Sequence, residues 1–256
     1  MINKSNFKRK LKHLNKKVLE QTYFKYDLTN SVESIESFIT DDYRKKVLEM
    51  RDFLEKDEKS KQFFRNLVLR NILYLGSECQ RFAPIEIEKE YNSFKRIIAS
   101  DYLQLIKVLP PTINKLYENW MLFKPEIVIF SCHGEETELF IQDDEGKCIN
   151  YSALNIIDFF KTRTNHTKCV ILSACTSIKI GEELNKLGLN IVAINKKVSI
   201  KTATKFTKYY LKYLNEHSLD YSHVYEHAFE YADELVEAQE LVDAFSFEFL
   251  KSHIKQ

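Results

Sequence analysis

Two apolar segments of the chain each end in residues that can take part in covalent catalysis. One begins at Ile127 as IVIF and continues Ser-Cys-His133-Gly134; the other begins at Cys169 as CVIL and continues Ser-Ala-Cys175. A cysteine nucleophile needs a nearby imidazole to accept its proton, and it needs backbone N–H groups to hold the oxyanion. A glycine after the histidine lets a substrate carbonyl approach the main chain closely. His133, Gly134 and Cys175 therefore predict a dyad for acyl transfer.

A cysteine at the end of a strand has an alternative explanation, which is packing as a small hydrophobic residue. Cys169 lies inside an apolar run and Cys132 directly follows one, so we expect both to be buried and unreactive. Spacing alone leaves that alternative open for Cys175.

Glycine and proline divide the chain into two parts. All five glycines and all four prolines lie at or after Gly76, and a long stretch without either residue is typical of helices. Phe7, Leu11, Leu14 and Val18 also form one apolar stripe at helical spacing. We therefore predict a small helical module over residues 1–68 and a main domain over residues 69–256.

The main domain alternates short apolar runs with amphipathic segments. The predicted strands are residues 71–75, 103–109, 126–130, 138–142, 147–150, 168–172, 190–194 and 245–250. The predicted helices are residues 85–98, 112–123, 152–162, 181–187, 200–215 and 222–238. This alternation predicts an α/β fold with a mostly parallel sheet covered by helices on both faces. Active sites in such sheets lie beyond the carboxyl ends of the strands, where the dyad residues are.

At these residues the sequence resembles the caspase-like cysteine peptidases of clan CD, of the separase and CHAT type. The resemblance covers the His-Gly block KPEIVIFSCHG (Lys124 to Gly134), the hairpin LFIQDDEG (Leu139 to Gly146) and the block VILSAC (Val170 to Cys175). Short bacterial caspase homologues attached to effector modules belong to the same group. The two blocks in this order are more specific than either block alone.

The resemblance implies a caspase-hemoglobinase α/β/α sandwich that hydrolyses peptide bonds through a thioester. It makes His133 the catalytic histidine and Cys175 the nucleophile, with the N–H groups of Gly134 and Cys175 as the oxyanion hole. It implies no cofactor and no metal. His223 and His227 share a helix face and could ligate a metal, but the sequence offers no third ligand, so we expect surface or core-edge imidazoles.

The substrate preference is less defined by the resemblance. Arginine-specific relatives often carry Asp at the position of Ser173, so that position does not support arginine specificity. Four other residues are candidates for lining the substrate site: Glu78, Asp143, Asp144 and Asn195. For the three acids the alternative is a solvated position in a loop.

Charge and cysteine usage suggest where the protein acts. The whole chain has a net charge of +1, whereas residues 1–70 carry 17 basic and 11 acidic residues, a net of +6. The longest apolar runs are four residues, too short for a membrane span, and the polar, lysine-rich start is unlike a signal peptide. Five cysteines at irregular spacing predict reduced thiols rather than a disulfide framework. We therefore expect a cytoplasmic protein.

The function predicted from these features is that of a regulated cysteine endopeptidase acting on a protein substrate. An adaptor or activating protein would bind residues 1–68, in a setting of bacterial defence or regulated cell death; membrane binding is not expected, and nucleic-acid binding has no motif to support it. The alternative is a catalytically silent interaction protein on the same fold, acting through its N-terminal helices. A flavodoxin- or receiver-like binding domain is more remote, because neither a phosphate loop nor an acidic cluster follows the strands.

Overall fold

The computed structural model describes residues 70–98, 103–143, 145–217, 223–239 and 246–252. The helical module predicted for residues 1–68 lies outside these ranges and stays a prediction. The description below therefore concerns the main domain.

The main sheet has six strands, of which five are parallel. The nine strands of the described ranges are β1 (Arg70–Gly76), β2 (Leu103–Lys107), β3 (Ile127–Ser131), β4 (His133–Glu135), β5 (Glu138–Gln142), β6 (Cys148–Ser152), β7 (Cys169–Ser173), β8 (Asn190–Ile194) and β9 (Phe247–Leu250). The order across the main sheet is β2-β1-β3-β7-β8-β9, with only β9 antiparallel to its neighbour. The antiparallel strands β4, β5 and β6 form a separate small sheet.

Helices cover both faces of the main sheet. They are α1 (Ile87–Ile97), α2 (Ile113–Phe123), α3 (Ala153–Lys161), α4 (Ile178–Asn185), α5 (Ile200–Glu216) and α6 (Val224–Glu237). One hydrophobic core contains buried residues of α1, α5 and α6, and the other contains buried residues of α2, α3 and α4. The predicted α/β/α sandwich with a mostly parallel sheet is confirmed.

The strand side chains alternate between the two cores because successive residues of a strand point to opposite faces. Ile127 and Ile129 of β3 belong to the core under α1, α5 and α6, whereas Val128 and Phe130 belong to the other. All four are fully buried. Burial on both faces explains why β3 is a continuous apolar run rather than an alternating one.

Two local features differ from the sequence prediction. Strand β4 was not expected, because His133–Glu135 is only three residues long and carries no β-rich pattern. Helix α4 begins at Ile178 rather than at residue 181. The buried Ser177 hydroxyl donates to the Leu172 carbonyl and accepts from the Ile194 amide, which holds a tight turn and lets the helix start at once.

The expectation that all thiols are reduced is wrong for one pair. Cys79 and Cys148 form a disulfide with their Cα atoms 5.2 Å apart, although 69 positions separate them in the sequence. The folding of β6 back beside the segment after β1 brings the two together. Irregular spacing carries no signal for such a pairing, since it depends only on this tertiary contact.

Candidate active site

The two segments with catalytic residues lie side by side in the main sheet. Strands β3 and β7 pair in parallel with Ser131 opposite Ser173, and the Cys132 amide donates to the Ser173 carbonyl at 3.4 Å. His133 and Cys175 each lie two residues beyond this pair, at the same carboxyl edge. The expectation that the two strands are neighbours is confirmed.

His133 and Cys175 also share one face of the sheet. Continuing the alternation of β3 and β7, they follow Ser131 and Ser173 on the side of α1 and α5. Both line one pocket, whose other walls include the aliphatic side chains Ile85, Ile194, Val198 and Ile200. The sheet thus brings an imidazole and a thiol to one cavity.

The orientation of His133 is set by the loop after β1, residues 77–86, which we call the β1–α1 loop. His133 Nε2 lies 2.8 Å from the Ala83 carbonyl oxygen. Because a carbonyl only accepts, Nε2 carries the proton, and in the neutral ring Nδ1 is then left with a lone pair. The Phe82 ring packs against the imidazole, tilted by 31°, with the ring centroids 4.6 Å apart. The loop therefore prepares Nδ1 to act as a base.

Three residues of the β1–α1 loop fasten it to the small antiparallel sheet. The Cys79 disulfide joins it to β6. Arg81 donates to the Asn150 side chain at 2.7 Å, and its guanidinium lies 4.5 Å from the centroid of Phe140. Phe82 packs on the same Phe140 ring at 4.8 Å. The carbonyl that orients His133 is thus held indirectly by the disulfide.

Cys175 differs from the other four cysteines, all of which lie within the described ranges. Cys79 and Cys148 are bonded to each other, and Cys132 and Cys169 are buried. Burial raises the pKa of the Cys132 and Cys169 thiols to about 12, so both are inert, as the sequence predicted. Cys175 is half-buried and free, with Sγ 3.9 Å from the Val198 carbonyl. It is therefore the thiol available for chemistry.

The main chain around Cys175 is tightly constrained. A Cβ atom on Gly134 would lie 3.0 Å from Ala174 Cβ and 3.1 Å from the Cys175 carbonyl oxygen, so this position accepts only glycine without a shift. Thr176, directly after Cys175, has a φ of 53°. A β-branched residue rarely adopts this left-handed conformation, and such outliers cluster at functional sites. The sequence gives no sign of it, because threonine is not typical of that region.

The predicted substrate residues outside the dyad have other contacts. Glu78 accepts from the Ile87 amide at the start of α1, and Asp143 accepts from the amides of the hairpin turn. Asn195 is exposed and donates to Glu248 at 2.7 Å. Asp144 lies outside the described residues. The structure does not bring Glu78, Asp143 or Asn195 into the pocket.

The pocket instead contains an acid that sequence reasoning missed, Glu90 of α1. The Ser131 hydroxyl donates to its Oε2 at 3.1 Å, and the Thr204 hydroxyl of α5 does so at 3.4 Å. Burial raises the pKa of this carboxyl to about 7, against the lowering effect of the two hydroxyls. A sequence signal existed, since Glu90 falls on the buried stripe that Ile87 and Phe94 define at helical spacing.

The described part of the chain contains neither a candidate metal site nor a candidate membrane span. In the described ranges, no group of three histidine, cysteine or acidic side chains is placed to hold a metal ion. None of the helices described above has the length and apolar content that a membrane crossing requires.

Comparisons with known proteins give a structural likeness at low identity. No protein-family model matches the sequence, and neither does any curated protein. The chain is similar to the Arg-specific cysteine proteinase gingipain R (RgpB), with 12% identity, a TM-score of 0.47, and coverage of 75% of this chain and 48% of that one. It is also similar to a chain from the complex of Porphyromonas gingivalis RgpB pro- and mature domains, with 11% identity, a TM-score of 0.46, and coverage of 70% and 45%. The chain thus spans less than half the length of either solved chain.

Proposed function

We propose that this chain is a cysteine endopeptidase of the caspase-like type, with Cys175 as nucleophile and His133 as base. The observation that carries the proposal is the register of β3 and β7, with Ser131 opposite Ser173. Because of this register, His133 and the free, half-buried Cys175 each lie two residues further along the chain, and both line the same pocket.

The reaction follows from the orientation of the imidazole. His133 Nδ1 takes the proton of the Cys175 thiol, and the thiolate adds to the carbonyl carbon of the scissile bond. The Ala83 carbonyl accepts from Nε2 throughout, which stabilises the imidazolium and keeps the ring in place. The tetrahedral intermediate collapses as Nδ1 gives its proton to the leaving amine, which produces a thioester on Cys175. Water, deprotonated by Nδ1, then hydrolyses the thioester and restores the thiol.

The oxyanion of each tetrahedral intermediate would be held by the N–H groups of Gly134 and Cys175. Two observations support this part of the proposal. Gly134 packs directly against Ala174 and the Cys175 carbonyl, with no space for a side chain. The turn at Thr176 holds the peptide unit that follows the nucleophile in an unusual conformation. Removing one such donor typically slows an acyl transfer by two to three orders of magnitude.

The biological setting proposed is that of a separase- or CHAT-like effector, such as a short bacterial caspase homologue. Its substrate would be a protein, and an adaptor or activating protein would bind residues 1–68. A role in bacterial defence or cell death would follow from such activation. A cytoplasmic location belongs to the same proposal, although cytosolic glutathione disfavours disulfides, so the Cys79–Cys148 bond would have to form or persist there.

Activity-based labelling tests the dyad. Peptide acyloxymethyl ketones with Arg, Lys, Asp, Asn, Leu and Met at P1 are applied to the full chain, with and without cell lysate to supply an activator. We expect mass spectrometry to find the label on Cys175, and we expect Cys175→Ala and His133→Ala to abolish it. His217→Ala is the matched control. Its imidazole also contacts a main-chain carbonyl at 2.8 Å and stacks on an aromatic ring. His217 directly follows the last residue of α5, however, whereas the pocket is lined by Ile200 and Ala203 at the start of that helix.

The opposite result favours the catalytically silent interaction protein. If Cys175 reacts with the probes and with iodoacetamide no faster than the buried Cys132 and Cys169, the dyad is wrong. Labelling of Cys175 that survives His133→Ala would likewise remove the histidine from the mechanism.

A further inference from the structure

The pocket beside the dyad combines aliphatic walls with a single carboxylate. Ile85, Ile194, Val198 and Ile200 supply the apolar lining, and Glu90 supplies the acid. A pocket lined by aliphatic side chains and one carboxylate matches a side chain with an apolar stem and a cationic head. Lysine and arginine have this construction.

The Glu90 carboxylate is desolvated and incompletely paired. The residue is only 4% exposed. Two hydroxyls donate to Oε2, whereas Oε1 is buried and has no hydrogen-bond partner. In the part of the chain that the structure describes, no basic side chain contributes to the environment of this carboxyl. A buried carboxylate without a cation is costly, because neither solvent nor a counter-charge stabilises the ionised form.

Glu90 also lies at a suitable depth below the dyad. The Ser131 hydroxyl that binds it belongs to the register pair two residues before His133 and Cys175. Two residues of a strand span about 6 to 7 Å. The stem of a lysine or arginine has a comparable length, so its head would reach the carboxylate when its carbonyl carbon is at the nucleophile.

We propose that Glu90 is the specificity-determining residue of this site and that the pocket binds the lysine or arginine side chain on the acyl side of the scissile bond. The proposal rests on the proposed peptidase function. It assigns the recognition of a basic substrate residue to Glu90. The loop acids Glu78, Asp143 and Asp144 and the position of Ser173 have no part in it. A bound cation would also favour the ionised carboxylate, which lowers the pKa that burial raises.

The first experiment measures binding without requiring catalysis. Fluorescent octapeptides that differ at one central residue, either lysine, norleucine, arginine or citrulline, are titrated into the full-length Cys175→Ala variant by anisotropy. We expect the lysine or the arginine peptide to bind at least tenfold more tightly than its neutral counterpart. Adding Glu90→Gln should abolish this ratio. Glu88→Gln, on the same helix but 75% exposed and paired with Lys107, should leave it unchanged.

The second experiment uses the intact dyad and separates the two proposals. Acyloxymethyl ketones with the same four P1 residues label the wild-type chain, and the Cys175 labelling rates are compared. A lysine or arginine preference lost in Glu90→Gln supports the pocket assignment. His133-dependent labelling that favours norleucine or citrulline at P1 overturns the assignment but leaves the peptidase function in place.

The remaining outcomes also decide the assignment. If no probe labels Cys175, the peptidase function fails, and the peptide titration alone still tests whether Glu90 selects a cation. Equal affinity for all four peptides, including no measurable binding, overturns the proposal. A cation preference that persists in Glu90→Gln does the same.

Discussion

The stability of the Glu90→Gln variant relative to wild type should increase as the pH rises. The pKa of this carboxyl is about 7 in the folded protein against an ordinary value of 4.5, and burial is the first cause. Because the pKa of the carboxyl is higher in the folded protein, folding favours its neutral form. The stability that neutral Glu90 contributes is therefore fully present below pH 4.5. It is lost as the pH rises through about 7. The difference between the two pKa values corresponds to roughly 3 kcal/mol.

The glutamine amide has nearly the same shape but does not titrate. The free energy of unfolding of Glu90→Gln minus that of wild type should therefore rise by about 2 to 3 kcal/mol between pH 5 and pH 8.5. Urea titrations measure it, because Trp120 is the only tryptophan and is buried beside Thr167, so its fluorescence reports unfolding. Other titrating groups cancel in the difference.

Glu88→Gln is the matched control for this measurement. Glu88 is exposed on the same helix, and solvent screening leaves its salt bridge little effect on stability. Its difference from wild type should vary by less than about 0.5 kcal/mol over the same pH range. A Glu90→Gln difference that is equally flat would show that Glu90 titrates as an exposed acid, and the reasoning from burial would be refuted.

Two further predictions concern the main chain around the dyad. Gly134→Ala and Gly181→Ala both place a Cβ 3.0 Å from a neighbouring carbon, so each should lower the free energy of unfolding by about 1 to 3 kcal/mol. Only Gly134→Ala should also slow probe labelling of Cys175. Equal slowing in both variants would contradict the proposed site. Replacing Cys79 and Cys148 together by alanine opens a 69-residue connection and should cost roughly 4 kcal/mol in urea unfolding. It should also slow Cys175 labelling, because the Ala83 carbonyl is no longer held against the imidazole; unchanged labelling would show that the loop stays in place without the disulfide.

The sequence was sufficient for the sheet and for the placement of His133 and Cys175 beside one pocket, because both depend on local pattern. Each parallel strand is buried on both faces, so it appears as an apolar run, as in Ile127 to Phe130. The His-Gly and Ala-Cys blocks follow two of these runs directly. Because parallel strands share their carboxyl edge, neighbouring strands were enough to bring His133 and Cys175 together.

The parts that the sequence missed depend on contacts between distant segments. Ala83 orients His133 through its carbonyl, which every residue possesses, so no residue type at position 83 could reveal this contact. The disulfide joins Cys79 to Cys148 across 69 positions. Glu90 lies in a helical stripe, but only the packing of α1 on the sheet turns that position into a pocket wall. Side-chain chemistry was therefore easier to predict than the geometry that orients it.

The strand order explains why these contributions meet at one place. The chain passes from β1 outward to β2 on one side and continues from β3 towards β9 on the other, so the order reverses between β1 and β3. In open parallel sheets, the connections that leave this switch point in opposite directions form a crevice at the carboxyl ends. The connection from β1 carries Ala83 and Glu90, while β3 leads to His133. The orienting carbonyl and the pocket acid thus depend on the pairing of β1 with β3, whereas the dyad depends on the pairing of β3 with β7. A perturbation of β1 should therefore alter imidazole orientation and substrate preference while leaving His133 and Cys175 just beyond the ends of the neighbouring strands β3 and β7.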